Sequence, residues 1–290
     1  MKNLLLTILL TIPFVSFAQL DSIPEKLQTS GTINFLVNQN AFSNWATGGE
    51  NNQSGLIKLD YNINYKVEKW SWDTKINGSY GSVKNGVSDY FKKTEDQFVF
   101  NTLVGKKSSE TISYSALFNF KTQVTKGYTY SINNDLKEEQ KTINEALSPA
   151  YLQAGLGMYW KKSNDLWVNI SPISTKVTFA DKKYTEGLEN GKTFFGVEKG
   201  ENKLVERGTS ITTYYKFSKI KNVTIENQLN LFSNYKNIYT KIDVDYTFNT
   251  IFKINKFLNS NLSIQFIYDE DTSTEMQIKE VFGLGVYLSL

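Results

Sequence analysis

From residue 31 to the end of the chain, apolar residues recur at every second position for about ten residues at a time. Residues 242–254 are the clearest stretch. Ile242, Val244, Tyr246, Phe248, Phe252 and Ile254 fall on one face, and Asp243, Asp245, Thr247, Asn249 and Lys253 on the other. A period of two is the signature of a strand with one apolar and one wet side. The pattern repeats at 57–67 (Ile57, Leu59, Tyr61, Ile63, Tyr65 against Lys58, Asp60, Asn62, Asn64) and at 112–124. It predicts twelve strands, at 32–38, 55–67, 70–83, 95–105, 111–124, 150–161, 166–179, 208–217, 223–233, 240–254, 257–268 and 276–290. Most are near the roughly 9–11 residues a tilted strand needs to cross a bilayer.

The connections alternate in length. Those after even-numbered segments are short (68–69, 106–110, 162–165, 218–222, 255–256), and those after odd-numbered segments are mostly longer (39–54, 84–94, 125–149, 180–207, 234–239, 269–275). Short turns on one side and long loops on the other are the pattern of an outer-membrane barrel. A soluble sandwich, the competing reading, has no reason to keep that parity. The expected fold is therefore all-β: a transmembrane, antiparallel, up-and-down β-barrel of about twelve strands.

Both termini agree. Residues 1–18 read as a cleaved secretory signal: Lys2, an apolar run from Leu4 to Phe17, and Ser16-Phe17-Ala18 before Gln19. The barrel domain is then 19–290, and the destination a Gram-negative outer membrane. At the other end, Gly285-Val286-Tyr287-Leu288-Ser289-Leu290 stops inside a strand. It resembles the C-terminal signal by which the barrel-insertion machinery recognises its clients, so that machinery and outer-membrane lipid are the expected partners. Trp70, Trp72, Trp160 and Trp167 sit beside predicted short turns, where an interfacial aromatic girdle belongs.

Three positions break the pattern. At Pro172 the apolar residues switch from even (Leu166, Val168, Ile170) to odd (Ile173, Val177, Phe179), which predicts a bulge at Ser171-Pro172. Glu280 falls on the otherwise apolar face of the last strand and is expected near the outer rim or in a bulge. Residues 192–207 are expected to form a small hairpin turning at 199–202.

Composition narrows the chemistry. The chain has 290 residues and no histidine or cysteine, and Arg207 is its single arginine. That excludes a Ser-His dyad or triad, a thiolate nucleophile, a disulfide, a His-ligated zinc and an N-terminal lipidated cysteine. No enzyme activity and no cofactor are expected. The net charge of +3 falls by one when the signal leaves, too little to imply a nucleic-acid partner. The mean hydropathy of −0.37 looks soluble, but a chain with every second residue facing water gives such a value.

The wet faces supply the lumen-lining candidates: Lys58, Asp60, Lys66, Asp73, Lys75, Lys121, Glu226, Lys241, Asp243, Asp245, Lys253 and Lys279. With both signs mixed, they suit either a polar channel of weak charge selectivity or a lumen crossed by salt bridges and closed. Asp243 and Asp245 share a face, but neighbouring lysines can neutralise them, so no metal site is expected. The loop at 39–54, with Asn44, Trp45, Gly48 and Gly49, reads as a sugar- or partner-binding patch or as a loop folded onto the rim. The loop at 125–149 is expected to hold a short helix capped by Asp135 with Glu138 at N3, its face made by Leu136, Ile143 and Leu147.

Several segments together resemble a family of Bacteroidota outer-membrane β-barrels, domain of unknown function 3078. They are Asn38-Gln39 with Asn44-Trp45 and Gly48-Gly49, Lys93-Thr94-Glu95-Asp96, Phe120 and Gln123 with Gly127-Tyr128, and Ser148-Pro149-Ala150-Tyr151 leading to Gly155 and Gly157. The resemblance implies fold and location over most of the mature chain, and no activity, cofactor or catalytic residue. The leading functional expectation is a passive pore or small-solute channel. The alternative is a closed structural or adhesion barrel acting through its long loops.

Overall fold

A computed structural model describes residues 27–41, 50–86, 88–236 and 242–290. The expected signal segment at 1–18, the candidates Asn44, Trp45, Gly48 and Gly49, and Lys241 lie outside the described residues.

The chain alternates in and out of a single cylinder. β1 (Leu27–Asn40), β2 (Asn52–Val67), β3 (Trp70–Asn85), β4 (Lys92–Lys107) and β5 (Ile112–Thr122) come first. A hairpin of β6 (Gly127–Ile132) and β7 (Glu138–Asn144) follows, then β8 (Ala150–Ser163) and β9 (Leu166–Phe179). A one-turn helix, α1 (Lys182–Thr185), and the two-residue strands β10 (Thr193–Phe194) and β11 (Val197–Glu198) precede β12 (Lys203–Phe217). β13 (Val223–Asn234), β14 (Ile242–Lys253), β15 (Leu258–Asp269) and β16 (Ser273–Ser289) complete the wall. Among the described residues, twelve of these strands close into a barrel in the order β1-β16-β15-β14-β13-β12-β9-β8-β5-β4-β3-β2, every neighbour antiparallel. Closure satisfies the backbone groups that an open sheet would leave at its edges. The seam is made by β1 and β16, paired at Thr32–Leu36 against Ser289–Gly285, and Leu290 N–H donates to Gly31 O at 2.8 Å.

The expected strands are all present, and the connection parity holds with one exception: β15 and β16 are joined on the long-loop side by only three residues, 270–272. The apolar face of each strand is the outer one. Ile173, Phe282 and Ile278 are 71%, 69% and 65% exposed, and Trp70, Trp72 and Trp160 also stand outward. No helix among the described residues is long and apolar enough to cross a membrane. The strands therefore carry the apolar outer surface.

Pro172 sits in a bulge, as its parity switch requires. Leu156 pairs with Ile173 and Met158 with Ile170, so β9 has one extra residue opposite Gly157. The β9–β12 register shifts at the same level, between Gly208 and Ser210. Asn169 and Ser171 below the bulge and Ser174, Lys176 and Thr178 above it are all buried inward. The neighbouring strand must then come close. A Cβ on Gly157 would overlap the Ile170 carbonyl oxygen, which leaves glycine as the residue that fits there.

Four expectations are corrected. The 125–149 loop holds the β6–β7 hairpin instead of a helix. Asn133 organises its turn, its Oδ1 accepting from Asp135 N (3.0 Å) and Lys137 N (2.9 Å), and Leu136 takes a φ of +59°. The proposed helical face had nothing to pack on: Leu136 is 87% exposed. The 192–207 hairpin exists but turns at Phe195-Gly196, both at positive φ (52° and 79°), as a two-residue hairpin turn requires; Lys203 onward belongs to the wall. Glu280 is neither in a bulge nor at the rim: it stands midway along β16 (Ser273–Ser289). The β15–β16 pairing runs unbroken from Gln277 to Val286, leaving its carboxylate on the outer face between Ile278 and Phe282. Trp167 turns inward, because Trp160 pairs with Val168 and Trp167 with Lys161, which puts the two indoles on opposite faces.

Candidate functional site

Alternation on twelve strands sends a polar set of side chains into one shared lumen. The wet-face candidates Lys58, Asp60, Asp73, Lys75, Lys121, Glu226, Asp243, Asp245, Lys253 and Lys279 all line a cavity of about 900 Å³. Lys66 lines a second cavity of about 420 Å³ at the short-turn mouth, beside Asp73 and Lys161.

Inside, the charges pair across the barrel. Lys121 of β5 reaches Asp245 of β14 at 2.7 Å, although four strands intervene on the shorter way round. Gln265 Nε2 donates to the other oxygen of Asp245 at 2.7 Å. Lys279 of β16 meets Glu95 of β4 at 3.1 Å, Lys161 of β8 meets Asp73 of β3 at 3.4 Å, and Lys58 Nζ donates to Asn261 Oδ1 at 3.1 Å. Such contacts constrain the shape. A Lys–Asp pair spans at most about 12 Å between Cα atoms, whereas a round barrel of twelve strands ~4.8 Å apart is about 18 Å across before any tilt. The cross-section is therefore flattened, and opposite walls meet through their side chains.

A second narrowing is aromatic. Tyr159, Trp167 and Tyr214 pack in sequence toward the short-turn end, with ring centroids 5.6 and 5.8 Å apart, against the buried Leu103 and Leu117. Lys75 Nζ lies 5.5 Å from the Tyr214 ring, and Tyr214 Oη donates to Glu226 at 3.0 Å. Glu226 also faces Lys216 at 3.7 Å. The cavity has lining residues on both sides of these narrowings. Its lining runs from Asn164, Asp165 and Ser289 at the short-turn end to Phe195, Asp269 and Thr272 at the long-loop end. Spread over the ~30 Å height of such a barrel, its volume describes a path only a few ångströms wide.

The long-loop end is fastened by its own ion pairs. Glu138 of β7 takes Lys92 at 2.6 Å and Ser88 Oγ at 2.7 Å, and Glu145 takes Lys126 at 3.3 Å and also Lys183. Both carboxyls are held below the usual glutamate range, Glu138 chiefly by its hydrogen bond from Lys92 and Glu145 by that from Lys183. The Lys93–Asp96 segment anchors the same loop. Asp96 pairs with Lys93 at 2.8 Å and accepts from the Val124 and Thr125 amides at 2.9 and 3.0 Å. Gln123 Nε2 donates to the carbonyls of Glu145 and Ser148. α1 is capped by Asp181, whose own amide donates to Ser148 Oγ at 2.7 Å.

Residue type alone did not single out Glu95, Lys161, Lys176, Glu206 or Asp269, yet each is a partner in the lumen. Lys176 was legible once the parity switch at Pro172 is carried upward through β9. Asp269 was not, because its role depends on the curvature that brings β15 toward β9. Asp243 and Asp245, two apart on one face, go to different lysines, Lys176 and Lys121.

Residues 37–128, about a third of the chain, match a protein family described as "Protein of unknown function (DUF3078)". The matched region holds the Lys93–Asp96 and Gln123 anchors, whose visible work is to fasten a loop. No curated protein matches the chain. Solved structures similar to it include the translocator domain of the autotransporter NalP from Neisseria meningitidis, at 9% identity over 92% of this chain and 90% of that one with a TM-score of 0.36. The NanC porin gives 8% identity over 89% and 98%, with a TM-score of 0.38. The Pseudomonas putida toluene transporter TodX gives 9% identity over 92% and 89%, with a TM-score of 0.34.

Proposed function

We propose that this chain is an outer-membrane barrel whose lumen is a narrow polar conduit for small solutes. The observation that carries the reading is a cavity whose lining includes residues of both the short-turn and the long-loop ends. The outward apolar face supports a bilayer location, with the short turns periplasmic. β16 closes the barrel against β1, which supports a role for that strand in insertion. Lys121–Asp245 and Lys279–Glu95 bridge the path and set its width. Side chains that narrow a pore decide what passes by size and by charge.

Purified, refolded protein in planar bilayers is expected to give small, discrete conductance steps. Folded protein that gives no steps removes the reading. A second reading is a closed barrel that presents its fastened loops to a partner, and it is favoured by the Glu138 and Glu145 network, which holds the β6–β7 hairpin in one place. Absent conductance, together with a set of captured partners that changes when 127–144 is removed, would select it.

A further inference from the structure

Two opposite charges stand on the apolar outer face. Glu280 of β16 and Arg207 of β12 both point out of the barrel, and both are exposed. For Arg207 the direction follows from its neighbours: Glu206 and Gly208 are buried on the inner side, and Val205 is exposed on the outer. Apolar outward residues stand above and below each charge, Val205 and Ile211 along β12 and Ile278 and Phe282 along β16. Away from the strand ends, these two are the charges on the outer face of β12–β16 among the described residues. Neither side chain makes a hydrogen bond or an ion pair among those residues. A charge facing lipid is destabilising and pairs with an opposite charge where one can be reached.

Their placement is matched. Arg207 lies ten residues from Phe217, at the short-turn end of β12, and Glu280 nine from Ser289, at that end of β16. The two charges are thus at nearly one depth. They also stand symmetrically, because β14 is the middle of the run β12-β13-β14-β15-β16. This run is one broad wall of the flattened barrel, since β14 and β16 reach across the lumen to β5 and β4. Between the charges its outer side is mostly apolar: Leu229, Tyr246 and Phe266 pair in one row, and Phe248 and Ile264 in the next. A two-fold axis along the membrane normal beside β14 brings Arg207 of one copy opposite Glu280 of the other, and the reverse, at unchanged depth. Such a contact is isologous, the commonest way in which identical chains associate. The wall is about 19 Å wide between β12 and β16 and its apolar band ~25 Å tall, so two copies cover about 1,000 Å² in all, the size at which specific interfaces begin. Arg207 is also the chain's single arginine. A guanidinium is more weakly hydrated than an ammonium and grips a carboxylate by two parallel hydrogen bonds, which suits it to an ion pair away from water.

We propose that the barrel forms a two-fold homodimer through the outer face of β12–β16, with Arg207 of each copy paired to the partner's Glu280. The dimer rests on the bilayer location of the chain and goes beyond the conduit reading, since barrels that conduct nothing can still associate side by side.

Charge exchange tests it. A fluorophore on Asp135→Cys, in the β6–β7 hairpin and outside this wall, counts barrels per particle by bleaching steps in dilute lipid vesicles. The otherwise native chain is expected to bleach in two steps. Arg207→Glu or Glu280→Arg sets like charges opposite each other and should weaken association about tenfold or more, leaving mostly single steps. Arg207→Glu with Glu280→Arg restores the pair with its signs reversed and should recover two steps. Heat-modifiable migration shows that each variant is folded. Crosslinking avoids like-charge variants altogether: without the fluorophore, a short bismaleimide should join Arg207→Cys barrels to Glu280→Cys barrels in a mixture, and neither population to itself. Single bleaching steps from the native pair of charges overturn the proposal and leave both residues to lipid headgroups. Two steps from either single exchange overturn it too, as does a double exchange no better than the single ones, or crosslinking within one population as strong as in the mixture. Conductance is read separately on the same protein, so loss of the conduit reading and loss of the dimer are distinguishable.

Discussion

Single residues decide how this wall can bend. The bulge at Pro172 moves every later side chain of β9 by one position, which is why Ile170 and Ile173 both face outward while Ser171 and Ser174 both face inward. Gly157 is the counterpart across the strand pair, with the Ile170 carbonyl where a Cβ would stand. Gly157→Ala should therefore cost about 2–3 kcal/mol, in the range of overpacking a well-packed position. Gly55→Ala has nothing within 4 Å of the new methyl and should be near neutral. Urea unfolding midpoints of the two variants in lipid vesicles make the comparison, and equal midpoints would refute the close-approach argument. Trp167 gives the same lesson. Its type and its place beside a turn suggested an interfacial indole, but its parity sends it into the lumen against Tyr159 and Tyr214. Trp167→Ala should cost about 3 kcal/mol or more through lost packing, and Trp70→Ala, on the outer face, markedly less, by the same measurement.

At the scale of elements, the wall and the loops obey different rules. Wall strands are recognisable from period two, because one side must face an apolar surround and the other a polar lumen. The 125–149 loop faces neither, so its amphipathic pattern was ambiguous between helix and hairpin. Asn133 and the left-handed Leu136 decide it for the hairpin. What holds that hairpin is electrostatic. Hydrogen bonding depresses the Glu138 and Glu145 carboxyls below the ordinary glutamate range. A depressed folded value means that the stabilisation is present at and above the ordinary range and is lost as pH falls through the depressed one. The barrel has no cysteine, so a dye on Asp135→Cys reports the hairpin turn alone. Its fluorescence anisotropy should hold steady from neutral pH down to about pH 5 and fall below about pH 4. A flat profile down to pH 3 would show that these ion pairs do not hold the loop.

At the scale of the molecule, the decisive feature is the flattened lumen. Lys121 and Asp245 lie far apart in sequence and on nearly opposite walls, and their pairing narrows the lumen. Replacing both by alanine should raise single-channel conductance by about twofold, since the charges removed also occupy the path. Replacing Lys121 alone should shift ion preference toward cations by leaving Asp245 unpaired. Reversal potentials in asymmetric salt measure that shift, and an unchanged preference would place the limiting constriction at the Tyr159, Trp167 and Tyr214 layer instead.

Alternation by itself determined the strand set, the inward and outward faces, the parity of the connections and the switch at Pro172, because each follows from the period of a pleated strand between two environments. It also placed Lys58, Asp60, Lys121, Asp243, Asp245 and Lys279 on the wet side. Pairing was decided only by the closed tertiary structure. Whether Asp243 meets its neighbour Asp245 or the distant Lys176 depends on how far the barrel flattens, and that is a property of the whole ring of strands. The same holds for the three carboxylates around Lys176. Glu206, Asp243 and Asp269 come from three separate strands, and only the curvature of the wall brings them to one nitrogen.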